Sequence, residues 1–133
     1  MLAGVPPKLR AKAEARLDLV AVWAWTRGDG DVRLGLSRDV ARDLKTAQTH
    51  HAEPLYVALE VYVSGHGAAE KMRNKVCWAL TGQHRRGQHY RCEPAALLDA
   101  VRLAARDMGV TIYDNAARLR LVLAEAERLG RQV

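Results

Sequence analysis

From Leu17 to Arg27 the chain reads LDLVAVWAWTR, and apolar residues fill both alternating sides. Leu17, Leu19, Ala21, Trp23 and Trp25 fall on one side, and Val20, Val22 and Ala24 on the other. A run that is apolar on both sides predicts an interior strand. GDGD, from Gly28 to Asp31, is a turn signal before a second apolar run, Val32 to Leu36, so a hairpin is expected. The period then lengthens. Val40, Leu44 and Ala47 recur at i, i+4 and i+7, which predicts a helix with that stripe on the core and Ser37 as its N-cap. Pro54 sets the limit of that helix, because the residue before proline avoids helical angles. PLYVALEVYVS, from Pro54 to Ser64, returns to alternation. Leu55, Val57, Leu59, Val61 and Val63 face one way; Tyr56, Ala58, Glu60 and Tyr62 face the other.

The flanks read as helices. Pro6 and Pro7 before KLRAKAEAR predict a short one near 7–16. AAEKMRNKVCWALTG predicts another ending at Gly82, with Met72, Val76, Ala79 and Leu80 inward and Glu70, Asn74 and Cys77 on a separate stripe. QHRRGQHYRC is a polar, basic loop with room for a short extended piece at His89 to Arg91. Pro94 opens a helix to about Met108, stopped by Gly109. In the last segment Thr111 and Asp114 have capping-box spacing, and Leu119, Leu123 and Ala126 form an apolar stripe; its start also suits a short strand. The expected architecture is α+β: a small three-stranded antiparallel sheet with flanking helices, plus extra N- and C-terminal helices. One domain is expected over 1–133, with a core about 17–108 and a helical extension about 109–133.

Charge narrows the function. Twenty-one Lys and Arg against fifteen Asp and Glu give +6. From His66 to Arg91 there are six Lys/Arg and one acid, Glu70. An uneven basic surface favours an anionic partner, nucleic acid first, against the plainer reading of a solvated face. The two cysteines, Cys77 and Cys92, make no disulfide framework, so a reducing compartment is the default. No 18-residue apolar run and no signal-peptide core appear, which points to a cytoplasmic protein without a membrane span.

Five short pieces carry a resemblance. The second strand reads VRLGLS, the helix after it DVARDLKTAQT, and then come EPLYV, GAAEKMRNKV and RRGQHYRCEPAAL. In this order they resemble the GIY-YIG nuclease superfamily, in its compact, phage-type branch with V-K-I-G on the second strand. The likeness spans roughly Val20 to Val101. It implies phosphodiester cleavage: a strand tyrosine activates water, an arginine steadies the phosphate, and a glutamate holds a divalent metal such as Mg2+. Carried over residue by residue, the first tyrosine's place holds Trp23 or Trp25, and the second's holds Arg33, as the branch allows. The arginine's place holds Asp43, with Arg42 beside it, and Glu70 matches the metal-binding glutamate. Indole cannot take a proton from water, and aspartate repels a phosphate that arginine would pair with.

The catalytic candidates are therefore Glu70, Arg33, Arg42 and Trp23, with Glu70 as the metal ligand. The nucleic-acid candidates are Arg38, Lys45, Lys71, Arg73, Lys75, Arg85, Arg86 and Arg91, with Arg38, Arg42 and Lys45 on one helix stripe. These cations are expected to meet in one concavity with Glu70 at its floor. Cys77, His84, His89 and Cys92 fit no standard zinc spacing, so zinc is not expected. His50 is a weaker candidate for the missing base. The leading expectation is a nucleic-acid-binding domain, DNA ahead of RNA, with weakened or lost cleavage. Its rivals are an active Mg2+-dependent endonuclease using Glu70 and Arg42, and a protein-interaction module docking through the helices after Pro94.

Overall fold

A computed structural model describes residues 4–80, 84–86 and 89–131, with the backbone alone for 84–86 and 89. Five helices and five strands follow in the order α1 (Pro7–Leu17), β1 (Leu19–Thr26), β2 (Asp31–Ser37), α2 (Val40–Gln48), β3 (Tyr56–Ser64), α3 (His66–Ala79), β4 (His84–Arg86), β5 (His89–Arg91), α4 (Pro94–Met108) and α5 (Asn115–Gly130). The sheet is antiparallel in the order β3-β1-β2-β5-β4. The α+β class and the three expected strands stand. Two three-residue strands extend the sheet beyond β2, one of them the extended piece anticipated at His89–Arg91.

β1 is an interior strand, paired with β2 on one side and β3 on the other, and its two apolar sides cover two cores. Val20, Val22 and Ala24 join Leu34, Val61, Met72, Val76, Leu97 and Val101, so this side of the sheet packs on α3 and α4. Ala21, Trp23 and Trp25 join Val40, Leu55 and Tyr62, with Leu44 and Ala47 packed against them, so the other side carries α2. A third small core, Ala13, Val122 and Ala126, joins α1 to α5.

Three local expectations are corrected. Leu55 and Val57 do not share a side with Leu59: Leu55 lies in the tryptophan core and Val57 is exposed. The cause is a bulge opposite Ala24 and Trp25, which shifts the register by one residue and so exchanges the sides. Ser37 does not cap α2. Its Oγ accepts from the Asp39 N–H at 2.9 Å, and Asp39 is the cap, accepting from the Arg42 N–H at 3.1 Å. Ala79 is exposed, and Ala69 takes an inward place on α3 in its stead.

At the other end of the chain Asp114, not Thr111, caps α5 by accepting from the Ala117 N–H at 2.7 Å. Just before it, Tyr113 exchanges two backbone hydrogen bonds with Tyr62 of the edge strand β3, which is the short strand-like start noted in the sequence. On α5 itself Val122 and Ala126 are the buried residues, and Leu119 and Leu123 are half-buried.

The β1–β2 turn shows why glycine stands there. Gly28 and Gly30 both have φ near +90°, which an L side chain rarely adopts. Thr26 Oγ1 accepts from the Gly28 N–H and donates to the Asp31 carbonyl, and Asp29 Oδ1 accepts from the Asp31 N–H. That backbone hydrogen bond, with Arg27 nearby, holds the Asp29 carboxyl below its ordinary pKa.

Candidate nucleic-acid interface

β1 starts, and β2 and β3 end, at one end of the sheet, because the three strands alternate in direction. Both α2 and α3 leave from that end. A shallow cleft lies there, lined by Val20, Leu36, Ser37, Arg38, Arg42, Asp43 and His66. β5 pairs only with Asp31 to Arg33, so it does not cover the last residues of β2 beside the cleft. Arg38 sits on the link between β2 and α2, in a close ion pair with Asp18. Arg42 and Asp43 come from the first turns of α2, with Arg42 Nε 3.4 Å from Asp43 Oδ1. His66 opens α3, where no side chain caps the first turn. Its Nε2 lies 3.5 Å from Glu70 Oε2. These pairs are solvent-exposed, so each holds its partner weakly and an incoming phosphate competes on equal terms.

The cleft gathers Arg38, Arg42 and, through His66, Glu70. It does not gather the other candidates. Trp23 is 4% exposed, inside the tryptophan core, with its Nε1 against Gly35; an added Cβ there would lie 3.0 Å from that nitrogen. It packs the core and has no path to a phosphate. Arg33 on β2 stands directly opposite Trp25 of β1, with its guanidinium 5.7 Å from that ring, while His51 meets the same ring edge-on. Arg33 therefore stands on the α2 side of the sheet, and α3 with Glu70 on the other. Arg91, opposite Asp31 and 3.8 Å from its carboxylate, shares the Arg33 side.

Lys45 borders a separate hollow with Ala41, Leu44, Gln48, Thr49 and Leu55. Lys71 and Lys75 lie on the outer stripe of α3. Arg73 is turned inward, its Nε buried, near Tyr90. Burial first, and then a hydrogen bond with Cys77, push the Tyr90 hydroxyl up to about 12. The side chains of His84, Arg85, Arg86 and His89 lie outside the described residues. His50 follows the end of α2, bonded through its N–H to the Ala47 carbonyl.

The expected single concavity is thus corrected. The two helices sit on opposite faces of one sheet, and among the described side chains the cleft takes Arg38 and Arg42 from the α2 side and His66 from α3, but none of Lys71, Arg73 and Lys75. The helix stripe of Arg38, Arg42 and Lys45 is corrected too, since Arg38 precedes the helix. His66 is a residue the sequence reading passed over. Its signal was the i, i+4 spacing to Glu70.

Glu70 alone does not make a metal centre. Among the described residues no three His, Cys, Asp or Glu side chains converge to hold an ion. One carboxylate holds Mg2+ only when phosphate and water oxygens fill most of its places. Cys77 and Cys92 are half-buried thiols outside any disulfide, and burial raises the pKa of Cys92. Among the described residues no helix is long and apolar enough to cross a membrane.

Comparisons with protein-family models, with curated proteins and with solved structures give no match. The GIY-YIG resemblance rests on the residues quoted above.

Proposed function

We propose that this chain is a nucleic-acid-binding domain of GIY-YIG-like build, cytoplasmic, with DNA ahead of RNA, whose phosphodiester cleavage is weak or lost. The observation that carries the reading is the cleft where Arg38, Arg42 and His66 meet from two strand-to-helix junctions. Two guanidiniums at one rim suit a phosphate, which each can hold with paired N–H donors. The loss of cleavage is supported by what stands in the catalytic places. Asp43 lines the same cleft as Arg42, and a carboxylate there opposes the charge that builds on a phosphate in the transition state. Trp23, in the first tyrosine's place, is walled into the core.

The test is anisotropy of a labelled duplex between 50 and 200 mM salt, with plasmid nicking in Mg2+ or Mn2+ beside it. Binding is expected to weaken steeply with salt, and Arg38→Ala with Arg42→Ala to flatten the log–log slope by about 2. Nicking is expected at background. No binding at low salt would end the nucleic-acid reading. Nicking that vanishes in Glu70→Ala would move the conclusion to an active endonuclease.

A protein-interaction reading has one observation of its own. Tyr56 and Val57 are exposed on the edge strand β3, and a groove lined by Leu59, Val61, Leu98 and Ile112 runs beside that strand. A failed binding test would favour it.

A further inference from the structure

The three tryptophans of the chain divide sharply. Trp23 and Trp25 are 4% and 6% exposed, and Trp78 is 80% exposed. One exposed apolar side chain is ordinary on a protein surface. The neighbours of Trp78 are what give it meaning. At about 100° per residue, Lys71, Lys75 and Trp78 fall within a wedge of about 60° on α3. Ala69, Met72 and Val76 occupy the opposite side and are fully buried against the sheet. The wedge therefore points to solvent, with Lys71 and Trp78 exposed and Lys75 half-buried, and the exposed Asn74 follows about 40° beyond Trp78. It holds no acid. Glu70, the nearest on the helix, lies about 80° outside it, beside His66.

We infer that Trp78, with Lys71 and Lys75, is a stacking platform for the bases of single-stranded nucleic acid. This rests on the nucleic-acid reading above and names a substrate class within it, at a place distinct from the cleft. Every base has a π-face, so an indole takes successive bases without regard to sequence, while lysines beside it neutralise the backbone. In a duplex those faces are already stacked on one another and only their edges are offered. The platform therefore discriminates strandedness. A protein partner or a lipid surface would call for a broad apolar patch around the ring. On α3 the positions one turn before Trp78 are Asn74 and Lys75, and Lys71 stands two turns before it, so the helix surface beside the ring is polar and basic.

The test uses the full chain with oligo(dT) and oligo(U) of twenty nucleotides and a duplex of equal length. Trp78→Ala is expected to weaken both single strands by about 5- to 150-fold, and the duplex by less than about twofold; Trp78→Tyr should restore most of the loss. Because the other two indoles are buried, acrylamide quenching in the wild type reports mainly Trp78. Oligonucleotide should shield it. Unchanged single-strand affinity in Trp78→Ala, or quenching that oligonucleotide leaves unaltered, overturns the platform. If Arg38→Ala with Arg42→Ala abolishes binding while Trp78→Ala has no effect, the cleft stands and the platform falls. If neither single strand nor duplex binds the wild type, both readings fall together. A blue shift of Trp78 on anionic vesicles, with none on oligonucleotide, assigns the face to lipid and overturns the inference.

Discussion

Nε2 of His66 lies 3.5 Å from Oε2 of Glu70, one turn further along α3. The carboxylate that the resemblance gives to a metal thus already has an imidazole beside it, at the rim of a basic cleft. Removing that negative charge should help an anion bind there. Glu70→Gln is expected to raise duplex affinity about two- to fivefold at 50 mM salt, an amount set by one partly screened charge. A fall in affinity in the presence of Mg2+ would mean instead that the carboxylate holds an ion needed for binding.

Asp43 offers the converse change. It lines the cleft beside Arg42, in the place where the resemblance expects arginine. Asp43→Arg is expected to raise duplex affinity about tenfold and to steepen the salt slope by about 1, as one more phosphate contact should. Titration of that variant at several salt concentrations checks it; an unchanged slope would place the phosphate elsewhere.

Trp23→Tyr should not create a nuclease. The side chain is enclosed by Val40, Leu55 and Tyr62, and its Nε1 lies against Gly35. The expected result is background nicking and a loss of about 1–3 kcal/mol of stability from the underfilled core. Gly35→Ala should cost a similar amount by overpacking, since the new Cβ would press on a buried indole. Urea denaturation measures both.

The sequence carried most of the fold in its periods. Two-residue alternation placed β1 between two cores, and the spacing of Val40, Leu44 and Ala47 turned α2 onto one of them. Two features escaped. The bulge beside Ala24 and Trp25 exchanges the sides of Leu55 and Val57, because a shift of one residue has no signature in a continuously apolar strand. The division of the cations escaped as well, since helical spacing shows which residues share a helix face and not which sheet face the helix covers. Arg33 and Lys71 accordingly lie on opposite sides of the sheet, while Arg42 and His66, the neighbour of Glu70, line one cleft at its end.

Tyr62 ties the edge of the sheet to α5. Its hydroxyl donates to Glu60 Oε2 at 2.6 Å, and Arg118 stands 4.7 Å over its ring. Burial, then the Glu60 hydrogen bond, raise the hydroxyl's pKa far above the physiological range. Tyr62→Phe is expected to cost about 1–2 kcal/mol by leaving Glu60 without its donor. Arg118→Ala should cost about 0.5–1 kcal/mol through the lost cation–π contact. Shifts in the thermal midpoint check each.

Acid should loosen the join between α1 and α5. Glu125 accepts from Arg128 and, across the helix pair, from Arg16 Nε at 2.9 Å. Arg128 first, then Arg16, hold its carboxyl below the ordinary value of 4.5. A carboxylate with a lower pKa folded than unfolded stabilises the fold above that ordinary value. The benefit drains away as pH falls toward the lowered folded value. Wild type should therefore lose more stability than Glu125→Gln on going from neutral pH to below 4.5. Parallel pH profiles of the two proteins would remove Glu125 from the account.

The packing of α1 on α5 brings Leu9 to within van der Waals reach of Gly130. The first and last described helices thus touch, so a linker between their flanks, with fresh ends at the glycine turn between β1 and β2, is the rearrangement that spares the sheet. Such a rewired chain would keep every core contact while changing the order in which its strands leave the ribosome.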